Sequence, residues 1–141
     1  MEPVPNRFTR GGTVYLMGHL HAKVLIVDDA PDFCESLAWL LNDEGYECRV
    51  ANHGQEAIEM LAKEKADLIL LDWEMPIMNG AGFLKRRSIR SDLRKIPVLV
   101  LSAASNLEDN AARFNARFLQ KPLDFVRLLS TMESLLATAS H

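Results

Sequence analysis

The sequence predicts an α/β fold in which five parallel strands form a doubly wound sheet with helices on both faces. Short apolar runs alternate five times with segments of helical periodicity, and this alternation is typical of a parallel sheet covered on both sides. The run 68–71 shows the strand type most clearly, because four consecutive apolar residues indicate a strand buried on both faces. Asp72 ends that run, and the turn residues Pro76, Asn79 and Gly80 follow it.

Length and composition indicate one domain of ordinary size. The chain has 141 residues, of which 48% are hydrophobic and 25% are charged, and its net charge is −3. The small net charge predicts no general attraction to nucleic acid or to membranes. No apolar run approaches the ~20 residues that cross a bilayer. Cys34 and Cys48 are predicted to be free thiols, buried or half buried, in a reducing cytosol.

Residues 1–21 are predicted to form a flexible tail, and residues 22–139 the folded domain. The tail is interrupted by proline and glycine at Pro3, Pro5, Gly11, Gly12 and Gly18. Residues 14–17 have the composition of a short strand, although nothing in the sequence requires one. His19 and His21 have no Cys, Asp or Glu nearby, so we do not expect a metal site there.

The first two strands are predicted at residues 24–27 and 48–51. Between them, Pro31 begins a helix and Gly45 ends it. Asp28 or Asp29 is expected to cap that helix, whose predicted inward side chains are Phe33, Leu37, Leu40 and Leu41. After a turn in which His53 is expected to be solvated, residues 55–65 form a second helix with Ala57, Ile58 and Leu61 on its inner face.

Three more strands are predicted at residues 67–72, 96–101 and 116–120, each followed by a helix, at about 80–90, 107–115 and 124–138. The 80–90 helix is predicted to turn Phe83 and Leu84 inward and to expose a basic face formed by Lys85, Arg86, Arg87 and Arg90. Asp124 is expected to cap the last helix. The apolar side of that helix is predicted to contain Val126, Leu128, Leu129, Met132, Leu135 and Leu136.

Polar residues follow four of the five predicted strands. Asp28 and Asp29 follow the first strand, Asp72 ends the third, Ser102 follows the fourth and Lys121 follows the fifth. Because the carboxyl ends of parallel strands meet at one edge of the sheet, these side chains are expected to converge there.

The residue types at this edge predict phosphoryl chemistry. Three carboxylates without His or Cys form an oxygen-only site, which suits Mg²⁺. Lys121 is a point charge suited to a phosphoryl oxygen or to Asp72, and the Ser102 hydroxyl can donate one hydrogen bond to an oxyanion. Asp72 is then the candidate nucleophile that accepts the phosphoryl group.

The chain resembles the receiver domain of two-component response regulators over residues 23–137. The matching pieces are Val-Asp-Asp at 27–29, Leu-Asp-Trp-Glu-Met-Pro-Ile-Met-Asn-Gly at 71–80, Leu-Ser-Ala at 101–103 and Lys-Pro at 121–122. Asn-His-Gly-Gln-Glu-Ala at 52–57 is similar to the usual start of the second helix. The resemblance implies a flavodoxin-like sheet with strand order 2-1-3-4-5, as in chemotaxis receivers.

The resemblance also implies roles for individual residues. Asp72 would accept a phosphoryl group from a histidine kinase or a histidine phosphotransfer protein, with Lys121 pairing to that group and Ser102 moving to bind it. The Mg²⁺ ligands would be Asp28 (through water), Asp29, Asp72 and the backbone carbonyl of Glu74. Phe118 falls at the switch aromatic position, three residues before Lys121. The implied protein is a cytoplasmic signalling switch that catalyses at most its own phosphorylation and dephosphorylation and binds a protein partner, with no nucleic acid or membrane partner.

The sequence departs from the family pattern in three places. The segment from Ser102 to Lys121 is about one helical turn shorter than usual, and Asn115-Ala116 stands where a Gly-Ala pair is normal. That face commonly mediates dimerisation and output, so the usual dimer is not carried over. Ser102 replaces the more common Thr, and Glu74 adds a carboxylate that is expected to alter the lifetime of the phosphoryl group.

Other functions remain open at this point. The protein could be a receiver-like adaptor that binds its partner without phosphorylation, or the receiver fragment of a larger regulator. A flavin-type binder would need a Ser/Thr/Gly-rich phosphate loop after the first strand, where Asp28-Asp29 stand instead. A Mg²⁺-dependent hydrolase would need substrate-binding insertions. Because the chain ends shortly after the last predicted helix, a stand-alone receiver is expected.

Overall fold

A computed structural model describes residues 7–10, 13–16, 21–75, 78–105, 113 and 116–139. Its strands are β1 (Arg7–Arg10), β2 (Thr13–Leu16), β3 (Lys23–Val27), β4 (Glu47–Ala51), β5 (Leu68–Asp72), β6 (Val98–Ser102) and β7 (Arg117–Gln120). Its helices are α1 (Pro31–Asp43), α2 (Gly54–Lys63), α3 (Gly80–Ser88) and α4 (Phe125–Ala139). The helix expected at 107–115 lies outside the described residues, apart from Arg113.

The central sheet contains five parallel strands in the order β4-β3-β5-β6-β7. Counted from β3, this is the order 2-1-3-4-5, so the predicted fold class is confirmed. β5 lies in the middle of the sheet, and all five of its residues are buried, as are those of β6. The sheet order therefore puts the carboxyl ends of β3, β5 and β6 side by side.

Two apolar clusters cover the two faces of the sheet. One joins Leu25, Ile69 and Leu71 to inner residues of α2 and α3, such as Ile58 and Phe83. The other joins alternate residues of the same strands to α1 and α4, with Leu41 and Leu128 fully buried. Because successive side chains of a strand point to opposite faces, each central strand supplies both clusters.

Helix α1 ends in a Schellman motif at Gly45. Gly45 has φ 102°, its N–H donates to the Asn42 carbonyl, and the Tyr46 N–H donates to the Leu41 carbonyl. Only glycine takes this left-handed conformation without steric cost. The sequence prediction for the end of this helix is therefore confirmed.

Three predictions about helix details are wrong. Neither Asp28 nor Asp29 caps α1, because the N-cap is Ala30, whose methyl group cannot accept a hydrogen bond; the Asp28 carboxylate accepts from the Ala30 N–H, which precedes the helix. Leu40 is 40% exposed, and Cys34 is buried in its place, since Cys34, Leu37 and Leu41 form the inner face. Val126 is 76% exposed because it lies nearly opposite Leu128 around α4.

Helix starts agree better with the sequence. The Asp124 side chain accepts from the Arg127 N–H at 3.2 Å, as expected for a cap. His53 is more than a solvated turn residue, because its Nδ1 accepts from the Glu56 N–H and caps α2. Among the described helices, none has both the length and the apolarity that crossing a bilayer requires.

The region expected to be a flexible tail contains a two-stranded antiparallel sheet. β1 pairs with β2 in a register that sets Arg7 opposite Leu16. A strand thus forms where residues 14–17 allowed one, and it has a partner that the sequence did not indicate. The flexibility of residues 1–21 stays a prediction.

Candidate functional site

Four strand ends bring acidic, hydroxyl and amino groups to one edge of the sheet. Asp28 follows β3, Asp72 ends β5, Ser102 ends β6 and Lys121 follows β7. Asp28, Asp72 and Ser102 are at most 4% exposed, whereas Asp29 is exposed. The parallel sheet thus places buried polar groups where its strand order predicts a binding crevice.

The carboxylates form a compact cluster with one cation beside it. One carboxylate oxygen each from Asp28, Asp29 and Asp72 lie within 4.8 Å of one another. Lys121 Nζ lies 3.1 Å from Asp72 Oδ1 and 3.7 Å from Asp28 Oδ2. The backbone N–H of Lys121 donates to the backbone carbonyl of Ser102, and the Lys121 ammonium lies 5.2 Å from the centre of the Phe33 ring. The structure therefore brings together the three acids and the lysine that were predicted from the sequence to converge.

The cluster carries more negative than positive charge, and its pKa values reflect this. Burial, together with the charge of Asp28, raises the pKa of Asp72 to about 6, although Lys121 opposes the shift. Burial acts to lower the pKa of Lys121, but the hydrogen bond and the charge of Asp72 outweigh it, so this pKa lies above its usual value. Asp72 is thus a carboxylate whose charge is costly without a further cation.

The cluster fits a hard divalent cation. Asp28 Oδ2 is buried and makes no hydrogen bond within the described residues, and a buried carboxylate oxygen without a donor is costly. The donor set is entirely oxygen, with three carboxylates in reach of one point, which is the chemistry that Mg²⁺ selects. The residues that would hold the ion are Asp28, Asp29 and Asp72; the expected role of the Glu74 backbone carbonyl stays a prediction.

Glu74 makes a side-chain contact that the sequence did not reveal. Its Oε1 accepts from the Ser102 hydroxyl at 2.6 Å and from the Ala103 N–H at 3.2 Å. Its own N–H donates to Asp72 Oδ1 at 3.3 Å. Burial acts to raise the pKa of Glu74, but the hydrogen bonds from Ser102 and Ala103 outweigh it, so the pKa lies below its usual value. An ionised carboxylate therefore holds the hydroxyl that was expected to bind a phosphoryl group.

Two aromatic side chains lie next to the cluster. Trp73 and Phe118 meet edge to face, with ring centroids 5.2 Å apart and an interplanar angle of 66°. Phe118 is half buried and packs against the apolar cluster on the α2 and α3 side. The expected switch role of Phe118 stays a prediction, but this contact places Phe118 directly against Trp73, the residue that follows Asp72.

Gly80 is required by the position of Trp73. A Cβ at Gly80 would lie 2.5 Å from Trp73 Cε3 and 3.0 Å from the Trp73 Cα, which belongs to the backbone. The Gly80 N–H also donates to the Trp73 carbonyl, so the two segments have little freedom to separate. The lack of a side chain at Gly80 therefore allows the first residue of α3 to lie against Trp73.

We expect Gly80→Ala to lower the free energy of unfolding by about 1–3 kcal/mol, since the added methyl group overpacks this contact. Gly82→Ala is the matched control in the same helix, because its Cβ would lie 3.3 Å from the flexible Met78 side chain. That control is expected to change stability by less than about 1 kcal/mol. Urea unfolding followed by circular dichroism measures both, and equal stabilities would contradict this account of Gly80.

Several other features that the sequence singled out lie outside this cluster. His21 is exposed, 3.9 Å from Glu47, and belongs to no metal-ligand cluster in the described part of the chain. Cys34 and Cys48 are free thiols, as expected, and burial raises their pKa values to about 11 and about 12. In the predicted basic face of α3, the Arg87 guanidinium instead donates to the Ile96 carbonyl.

Comparison with protein families matches residues 24–133 to the response regulator receiver domain. Among curated proteins, the chain is 38% identical over 124 residues to the transcriptional regulatory protein ZraR of Escherichia coli K12, covering 86% of this chain and 28% of ZraR. It is 34% identical over 120 residues to the response regulator MprA of Mycobacterium ulcerans, covering 83% of this chain and 51% of MprA. The chain thus spans about half or less of these relatives.

Solved structures of similar length agree with the fold. The chemotaxis protein CheY4 of Vibrio cholerae has a TM-score of 0.75 and 32% identity, covering 81% of this chain and 98% of CheY4. The receiver domain of a histidine kinase from Syntrophus aciditrophicus has a TM-score of 0.76 and 33% identity, covering 83% of this chain and 91% of that domain. Both likenesses cover more than four-fifths of this chain.

Proposed function

The chain belongs to the response regulator receiver domain family of two-component systems, and from this membership we propose that it is a phosphoacceptor switch. Receiver domains are signalling domains rather than conventional enzymes. The proposed donor is a histidine kinase or a histidine phosphotransfer protein, and the proposed acceptor is the carboxylate of Asp72. Signalling would follow from altered binding of a protein partner.

The observation that carries this proposal is the surroundings of Asp72. Its buried carboxylate has an ammonium at 3.1 Å and two further carboxylates within 4.8 Å. A carboxylate nucleophile needs its attacked phosphorus held close and the charge on the phosphoryl oxygens neutralised. The cluster offers both, because Lys121 supplies a fixed positive charge and the acids supply the ligands for a second one.

Each residue would have a separate part in the transfer. An Asp72 oxygen forms the bond to phosphorus while the bond to the donor breaks, and the electron pair leaves with the donor. Lys121 stays beside Asp72 and neutralises a phosphoryl oxygen, and the Ser102 hydroxyl donates to another. A bound Mg²⁺ would supply additional charge neutralisation. Asp28 and Asp29 would hold it against Asp72.

Intact-mass spectrometry with acetyl phosphate tests this function. The wild-type protein is expected to gain one phosphoryl mass in the presence of Mg²⁺ and to gain none with EDTA, because the acidic cluster would then lack its cation. Asp72→Asn is expected to abolish the gain. Asp67→Asn is the matched control. Asp67 immediately precedes the first residue of β5, at the end of the strand away from Asp72, and an amide oxygen at this position can still accept from the Lys23 N–H.

A wild-type protein that gains no mass with Mg²⁺ and acetyl phosphate, and whose Trp73 fluorescence does not respond to Mg²⁺, would contradict the proposal. A mass gain that survives Asp72→Asn would place the acceptor elsewhere. Because ZraR and MprA are longer than this chain, the output of the switch is proposed only as far as protein binding. Ser102 and Phe118 are its proposed switch residues.

A further inference from the structure

The Glu74 carboxylate occupies an oxyanion site beside Asp72. Ser102 Oγ and the Ala103 N–H both donate to Glu74 Oε1, at 2.6 and 3.2 Å. Ser102 is fully buried, and its Oγ accepts in turn from the Ala104 N–H at 3.0 Å. The hydroxyl is therefore held in place from one side and committed to Glu74 on the other.

These two donors are the groups that an oxygen of a phosphoryl group on Asp72 would need. A serine hydroxyl has one proton to donate, so it cannot serve Glu74 and a phosphoryl oxygen at once. The Glu74 carboxylate and a phosphoryl oxygen carry the same kind of charge, and two anions sharing one pair of donors repel each other. Occupation of this site by either one excludes the other.

We propose that the Glu74 side chain is an internal occupant of the phosphoryl-oxygen site, which it must vacate when Asp72 is phosphorylated. This inference rests on the proposed function of Asp72. When the bond between Asp72 and phosphorus forms, one non-bridging oxygen takes the Ser102 hydroxyl and the Ala103 N–H. Glu74 exchanges these two donors for water, and no proton transfer on Glu74 is required.

As a consequence, only a group that binds the Ser102 hydroxyl and the Ala103 N–H strongly enough to displace a carboxylate can occupy this site. Hydrogen bonds to charged acceptors are about twice as strong as neutral ones, so Glu74 lowers the affinity for any phosphoryl-like group. Glu74 is exposed at the surface apart from this contact, and its carboxylate can leave without disturbing the core. The displaced side chain would then change the surface beside Asp72.

Two Glu74 variants test this by titration with beryllofluoride and Mg²⁺, followed by Trp73 fluorescence. Glu74→Ala is expected to bind beryllofluoride about tenfold more tightly than wild type, since the donors are free from the start. Glu74→Gln keeps an acceptor oxygen without the charge and is expected to gain about threefold. Glu35→Gln, on the exposed side of α1, is the charge-matched control and should leave the affinity unchanged.

A second readout needs neither metal nor ligand. The Ala103 amide is exposed except for its bond to Glu74, and its hydrogen exchange is expected to be about tenfold faster in Glu74→Ala than in wild type. Equal exchange rates would overturn the contact itself. This measurement is independent of whether Asp72 can be phosphorylated.

The Ser102→Ala background separates displacement from a general effect of charge. There, Glu74→Ala is expected to bring a much smaller gain in affinity, because one of the two shared donors, the Ser102 hydroxyl, is already gone and only the Ala103 N–H is still shared. If Glu74→Gln and Glu74→Ala raise the affinity for beryllofluoride equally, and if both gains persist in the Ser102→Ala background, the proposal is overturned. The negative charge of Glu74 would then act on the ligand at a distance, without occupying its site. Weaker binding by Glu74→Ala would overturn the proposal in favour of Glu74 as a ligand.

If neither wild type nor any variant binds beryllofluoride, the phosphoacceptor function fails and the displacement with it, while the exchange rates still report on the contact.

Discussion

Asp72→Asn is expected to melt about 3–10 °C above the wild-type protein in Mg²⁺-free buffer at pH 8. The substitution removes one negative charge from a buried cluster in which Asp28 and Asp72 share a single lysine. The expected gain in the free energy of unfolding is about 1–3 kcal/mol, since Asn also gives up its charged hydrogen bond with Lys121.

The pH dependence of this gain follows from the pKa of Asp72. That pKa is about 6 in the folded protein, above the ordinary value of 3.8. Between these two values the folded state binds more protons than the unfolded state, so the stability of the wild type falls as the pH rises. The advantage of Asp72→Asn should therefore be absent below about pH 4 and complete above about pH 6.

Mg²⁺ should reverse the order of the two proteins. It should stabilise the wild type, because an ion bound only by the folded state raises the melting temperature, and it should stabilise Asp72→Asn much less. Differential scanning fluorimetry over a pH series, with EDTA or with Mg²⁺, measures all of these effects. If Asp72→Asn melts below the wild type in EDTA at pH 8, the cluster is not the source of destabilisation described above.

Lys121→Met is expected to have the opposite effect on the same cluster. It removes the cation that lies 3.1 Å from Asp72 and 3.7 Å from Asp28, and it leaves buried acids without a partner. We expect a loss of about 2–3 kcal/mol in the free energy of unfolding at pH 8. The proposed phosphorylation by acetyl phosphate should slow at least about a hundredfold, as when a donor is removed from a charge-stabilising site.

The loss of stability in Lys121→Met should shrink as the pH falls. Asp72 becomes neutral below its pKa of about 6, so the lysine then has less charge to compensate. Because the pKa of Lys121 is raised above its ordinary value of 10.5, the contribution of Lys121 is complete below that value and is lost only as the pH rises through the higher pKa of the folded state. Lys121→Arg retains the charge and should recover most of the stability but less of the rate, since the planar guanidinium cannot replace a point charge in the same space. Equal stability of wild type and Lys121→Met at pH 8 would contradict this.

The sequence was sufficient to place the cluster because simple rules govern strand ends. β5 is buried on both faces, and its sequence is an unbroken apolar run that stops at Asp72, so the end of the strand could be predicted. Once the strands were known to be parallel, Asp28, Ser102 and Lys121 had to share an edge with it. Periodicity and topology together thus predicted the fold and most of the cluster.

The same rules could not predict contacts made by turns and helix phases. Glu74 lies after β5 in a turn, where no periodicity fixes the direction of a side chain, and its bond to Ser102 depends on the three-dimensional path of that turn. In α1, Leu40 and Cys34 both fitted an apolar stripe, and only packing against the sheet decided that Cys34 is buried. The partner of β2 was not visible either, because β1 has no apolar pattern that distinguishes it.

The exposure of Trp39 determines how the optical experiments have to be done. The chain has two tryptophans, and Trp39 is 68% exposed on α1, whereas Trp73 packs against the Phe118 ring. Iodide in solution should therefore quench the emission of Trp39 and spare most of that of Trp73. Trp39→Phe should yield a protein with one emitting indole, which reports both the proposed phosphorylation of Asp72 and the proposed movement of Phe118, because Trp73 lies next to both residues.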